Sequence, residues 1–169
     1  MQVTSAQASK MLKKLQEQLK SMETMEKQLS TFHAAVGEKI EDVRPEYDFG
    51  SFQKEMKKIE EQIRVLKHRI NEFNVKTEVP GFGITIDQML VLIPQLTIKK
   101  EKFRRMKDTL PKQRDEIMLH RGSGVIDYVY ANYQIEAAKN AYEKACDDLA
   151  KAQNALDTLN NTKEFEVLF

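Results

Sequence analysis

The residues best suited to chemistry in this chain form one basic run: Lys99, Lys100, Lys102, Arg104, Arg105, Lys107, Lys112, Arg114, His120 and Arg121, followed by Gly122-Ser123-Gly124. An arginine guanidinium is a planar fork of donors that grips phosphate or carboxylate in two places at once. Glycines beside such a run let backbone N–H groups approach an anion. Lys100, Arg104 and Lys107 recur at helical spacing, so part of the run points one way. Tyr128, Tyr130 and Tyr133 come next, and a ring beside a cation can stack on a base while the cation holds phosphate. The chemistry expected is recognition of a small anionic, nucleotide-type molecule by Lys99, Arg104, Arg105, Arg114, His120 and Arg121, with Tyr128 or Tyr130 stacking. Two plainer readings stand beside it. The cations could be a solvated helix face paired with acidic residues further on, and the tyrosines could fill the end layer of a helical core.

Catalysis finds no comparable footing. Arg-Gly-Ser-Gly falls well short of the P-loop pattern. Ser123 has no base partner identifiable from spacing, which leaves nucleophilic chemistry unsupported. Asp147 and Asp148 are adjacent, so on a helix they diverge instead of forming a dyad. His33, His68 and His120 share no ligand spacing, and Cys146, the one cysteine, excludes a disulfide framework or a Cys-rich metal site. No enzyme activity, metal or cofactor is expected.

Charge sets further bounds. The 169 residues carry a formal net charge of +1. The segment 97–122 holds nine Lys/Arg against four Asp/Glu, whereas 127–169 holds four against eight. A near-neutral whole with an acidic last third argues against nucleic acid as partner. No apolar run approaches the roughly 20 residues that span a bilayer, and no signal-type segment opens the chain. The expected setting is the cytoplasm, without a membrane partner.

The elements that must hold the basic run follow from apolar period. Phe49, Phe52, Met56, Ile59, Ile63, Leu66, Ile70 and Phe73 lie on one stripe of a helix. So do Ile135, Ala138, Tyr142, Ala145, Leu149, Ala152, Leu156 and Leu159. An earlier helix, capped by Thr4 or Ser5, uses Met11, Leu12, Leu15, Leu19, Met22, Met25, Leu29 and Phe32. Gly37 and Arg44-Pro45 interrupt it, which predicts an antiparallel hairpin of the first two long helices. Thr85-Ile86-Asp87-Gln88 reads as a capping box for a third helix whose face is Met89, Leu92, Leu96, Phe103, Met106 and Leu110. Pro94 should kink that helix. Val125 to Tyr130 suits a short strand or a helical lead-in. A slender bundle has much surface for its core, so self-association is expected.

Several short segments, in order, resemble the septicolysin-like family of small bacterial helical proteins. They are Ala34-Ala35-Val36-Gly37-Glu38, Arg69-Ile70-Asn71-Glu72-Phe73-Asn74, Thr77, Gly83-Ile84-Thr85-Ile86 and Leu159-Asn160-Asn161-Thr162-Lys163-Glu164-Phe165. Lys99 and Arg104 fall where that family carries basic residues. Leu92-Ile93-Pro94 stands in place of its Arg-Arg-Asp cluster, and Asn161 in place of a Trp. The resemblance implies a helical, oligomeric protein without established enzyme chemistry. The pattern stops near Phe165, and Glu166-Val167-Leu168-Phe169 reads like an expression-tag remnant.

The sequence therefore predicts an all-α protein: a long antiparallel helical hairpin plus two further helices in an elongated bundle or coiled coil, with a single domain over 1–165. It is expected to be a homo-oligomer that binds or sequesters a nucleotide-type anion at a basic site between subunits. The alternative is a coiled-coil scaffold or protein-interaction module without a small ligand.

Overall fold

The computed structural model describes residues 1–114 and 127–168. These are mostly helical, with three short two-stranded sheets among them. In chain order the elements are β1 (Gln2–Thr4), α1 (Ser5–Leu29), α2 (Ile40–Val43), α3 (Phe49–Lys76), β2 (Glu78–Val79), β3 (Ile84–Thr85), α4 (Ile86–Lys107), β4 (Lys112–Arg114), β5 (Tyr128–Tyr130), α5 (Ile135–Thr162) and β6 (Glu164–Glu166). The chain divides into two compact units. One comprises Met1–Thr77 with Thr158–Phe169, and the other Glu78–Asp157.

The first unit is built on the antiparallel pair α1 and α3. Thr4 caps α1 by accepting from the Gln7 N–H, while the Gln7 side chain accepts from the Thr4 N–H. Each bond satisfies an amide that the helix end would otherwise leave unpaired. Asp48 caps α3 in the same way, accepting from Gly50 and Ser51. Ala8 near the start of α1 shares a core with Leu66 near the end of α3, and Met11, Leu12, Leu15 and Ile70 pack around them. At the opposite end Tyr47 and Gln53 both donate to Glu26. Along α3 the stripe holds: Ile59, Leu66 and Phe73 are buried, though Phe49 at its start is exposed.

β1 and β6 close this unit. Val3 pairs with Phe165 in an antiparallel register that runs from Gln2–Glu166 to Thr4–Glu164. The Met1 ammonium donates to the Val167 carbonyl at 2.7 Å, and the Val167 N–H donates to the Met1 carbonyl at 2.9 Å. Val167 is 1% exposed and belongs to the Val3–Ala8–Leu66 core. Glu166 and Val167, which the sequence pattern sets outside the fold, are thus inside it. A strand as short as β1 has unpaired amides unless a partner covers them, and the C-terminal segment is that partner.

The second unit opens with β2 and β3, joined by a turn in which Phe82 donates to the Val79 carbonyl. Gly81 and Gly83 have φ of +81° and +64°, backbone that a side chain makes costly. Thr85 and Gln88 then form both bonds of the expected capping box. α4 runs on through Pro94 to Lys107, and the Thr97 hydroxyl donates to the Ile93 carbonyl close to the proline. Its buried residues are Ile86, Met89 and Leu96; Leu92, Phe103 and Met106 are half-buried. Leu110 departs from the expected face, because the helix ends three residues before it and it is exposed. Leu90, Val91 and Ile98 are exposed as well.

α5 buries Ala138, Ala145, Leu149, Ala152, Leu156 and Leu159, members of the stripe read from its period. Its first turns are tied to the end of α4: the Tyr133 hydroxyl donates to the Met106 carbonyl at 2.9 Å, and the Lys107 ammonium lies 5.1 Å from the Tyr142 ring centroid. Of the stretch expected to be a strand or helical lead-in, Tyr128–Tyr130 is a strand, while Val125 and Ile126 lie outside the described residues.

A candidate cation–aromatic ribbon

β4 and β5 form an antiparallel ribbon just past the C-terminal end of α4. Lys112 faces Tyr130, Gln113 faces Val129 and Arg114 faces Tyr128. The Ala131 N–H donates to the Pro111 carbonyl at 3.1 Å and extends the ladder by one step. Side chains alternate along a strand, and directly opposed residues share a face. Lys112, Arg114, Tyr128 and Tyr130 therefore occupy one side, with Gln113 and Val129 on the other. Every residue of both strands is exposed. The Lys112 ammonium sits 4.1 Å from the Tyr128 ring centroid and 5.4 Å from that of Tyr130. Two cations and two rings thus share one open surface.

The other expected ligand residues have different places. Arg104 grips Glu101 through two donors, Nε to Oε2 at 3.0 Å and Nη2 to Oε1 at 2.6 Å, and lies 3.9 Å from Asp108. That grip holds Glu101 below its ordinary range and lifts Arg104 above its own. Lys107 donates to Asp108 at 2.7 Å, and its ammonium is held above the usual lysine value chiefly by that bond. A ligand at Arg104 would have to compete with the Glu101 carboxylate for the guanidinium. Lys99 and Arg105 are exposed on α4, and Lys99 lies roughly two turns before the helix end. His120 and Arg121 lie outside the described residues.

Of the three tyrosines grouped in the sequence, Tyr133 is fastened to the Met106 carbonyl and positions α5, whereas Tyr128 and Tyr130 stay open. Lys112 belongs to the basic run but not to the expected ligand set. Its signal is the alternation Lys112-Gln113-Arg114, a strand period that a helical reading of the run passes over.

A second polar cluster lies in the first unit, where the sequence points to no site. Glu72 accepts from Arg69 at 2.8 Å and from Lys76 at 2.6 Å. Those bonds, the Lys76 one foremost, hold its carboxyl down to about 2. Phe73, Thr77 and Phe165 join these three around an open cleft of about 250 Å3. Its cations are satisfied by the central glutamate, so the cluster reads as a brace on the last turns of α3. Among the described residues no three His, Cys, Asp or Glu side chains gather as a metal set, and no helix is long and apolar enough to cross a membrane.

No family model matches the chain, and no curated protein matches it in sequence. Among solved structures it is similar to that described as a functionally unknown conserved protein from Corynebacterium diphtheriae, at 17% identity and a TM-score of 0.62. The likeness covers 98% of this chain and 100% of the other. At that identity it shows a shared fold.

Proposed function

We propose that this chain is a non-enzymatic binding protein that takes a small anionic, nucleotide-type ligand on the Lys112–Arg114–Tyr128–Tyr130 face, and that it works as a cytoplasmic homo-oligomer. The observation that carries the reading is the convergence of two cations and two open rings on one side of a ribbon. A phosphate is drawn by the ammonium and guanidinium, and a base by the rings. Capture or sequestration of such a ligand needs no acid, base or nucleophile. Arg104 leaves the ligand set on this reading, because Glu101 and Asp108 occupy it. Kinship with the septicolysin-like proteins belongs to the same proposal.

Calorimetry with a panel of linear and cyclic nucleotides tests it. At least one should give saturable heat with the unmodified protein and none with Arg114→Glu. Absence of heat across the panel overturns the reading.

A second reading has its own support in Leu90, Val91 and Ile98, apolar residues exposed on α4. On this alternative α4 is an interaction surface and no small ligand is involved. Ile98→Lys should then abolish partner or self-association, while Arg114→Glu leaves activity untouched. Sedimentation of Ile98→Lys together with calorimetry of the unmodified protein and Arg114→Glu separates the two readings, since only the first reading gives nucleotide heat.

A further inference from the structure

We infer that the ribbon is a platform for two neighbouring bases, so that its ligand is a dinucleotide unit rather than a mononucleotide. The inference rests on the nucleotide-binding reading above and adds the size and connectivity of the ligand. Tyr128 and Tyr130 are two residues apart on one face of β5, which spaces their origins by about 7 Å. Lys112 and Arg114 are spaced identically on β4, opposite Tyr130 and Tyr128 in turn. The face thus repeats one motif twice along the strand, a ring with a cation across from it. One nucleotide also pairs one base with one phosphate, and an extended chain presents these units at a comparable repeat. A mononucleotide would engage one ring and one cation and leave the other couple idle.

The position of Lys112 fits this use. Its ammonium now lies against both rings, closer to the diagonal Tyr128 than to the directly opposed Tyr130. An exposed cation–ring contact is weaker than a base stacked on a ring. Two bases that displace the ammonium would leave it beside the phosphodiester that joins them, where a charge-assisted hydrogen bond takes over from the rings. Val129, between the two tyrosines, belongs to the opposite side of the ribbon and does not interrupt the platform.

The experiment measures affinity of the unmodified protein for a mononucleotide, the matching linear dinucleotide and a short single strand, with Tyr128→Ala, Tyr130→Ala and Tyr130→Phe as variants. The dinucleotide should bind at least tenfold more tightly than the mononucleotide. Each alanine variant should reduce dinucleotide affinity about tenfold, to the mononucleotide level, and Tyr130→Phe should retain it because the ring remains. Circular dichroism of the variants checks that the fold is kept. A strand that binds like the dinucleotide identifies a free dinucleotide as the source of the chemistry; a strand that binds more tightly identifies an internal step of single-stranded nucleic acid. Equal affinity for mono- and dinucleotide overturns this inference while the nucleotide reading stands. No binding by any of the three removes the nucleotide reading with it.

Discussion

Phe73 and Phe165 stack with ring centroids 4.6 Å apart and planes 24° from parallel. Phe73 ends the buried stripe of α3, and Phe165 is the central residue of β6, paired with Val3. The stack therefore joins a local helical pattern to a strand from the far end of the chain. Phe73→Ala should cost about 3–5 kcal/mol, and Phe165→Ala less, since that ring is half-buried. A double-mutant cycle in denaturant should return a coupling of about 0.5–1.5 kcal/mol. Strictly additive losses would show that the rings are neighbours without interaction.

Val167 lies in the same closure, its N–H and C=O both bonded to Met1. Val167→Ala should cost about 2 kcal/mol, the transfer of two buried methyl-sized groups plus the space they leave. An unchanged unfolding midpoint would mean that residues beyond Phe165 do not contribute to the folded core.

These two residues also mark where sequence reading stops. α3 and α5 are legible because an apolar side chain every three or four residues along most of a 28-residue helix has one structural solution. Thr4 and Thr85 are legible because a capping box is local. The strands are two or three residues long, too short for any period to emerge, and β1 meets its partner only through pairing between opposite ends of the chain. The face read for α4 leaves out Leu90, Val91 and Ile98, which are exposed; Leu110, read as part of that face, is exposed too because the helix ends at Lys107. On the candidate site, residue type alone points to Arg114, Tyr128 and Tyr130. It misses Lys112 and includes Arg104, because a run of cations does not say which are already held by Glu101 and Asp108.

Glu72 makes stability depend on acid. Its folded value is about 2 against an ordinary 4.5, because Lys76 and Arg69 both bond the ionised form. A depressed carboxyl stabilises the fold above its unfolded value, and that contribution is lost as pH falls from 4.5 toward 2. Thermal midpoints of the unmodified protein and Glu72→Gln should converge across that window. A gap that stays constant on acidification would show that the bonds to Lys76 and Arg69 do not govern the carboxyl.

Tyr47 responds at the other extreme. Its phenol donates to Glu26 at 2.7 Å, and that bond is the first cause lifting it from 10 to about 12. The protonated phenol is favoured in the folded state, so the link is intact below pH 10 and lost as pH rises through 12. Ultraviolet titration of tyrosinate should show a late component, with Tyr142 also raised. Tyr47→Phe should remove the latest part of the curve, and a curve unchanged in that limb would deny the bond to Glu26.

Arg104 and Arg114 are the sharpest contrast within the basic run, since both are arginines and only their surroundings differ. Arg104 is engaged by Glu101 through two donors, a pairing that a ligand would have to replace. Arg114 stands on the open ribbon face opposite Tyr128. Arg104→Gln should therefore leave nucleotide affinity within about twofold, whereas Arg114→Gln should lower it about tenfold or more, the scale of one lost bond to a charged group. Affinities from calorimetry on the two variants decide the matter. A larger loss at Arg104 would move the ligand off the ribbon and onto the end of α4.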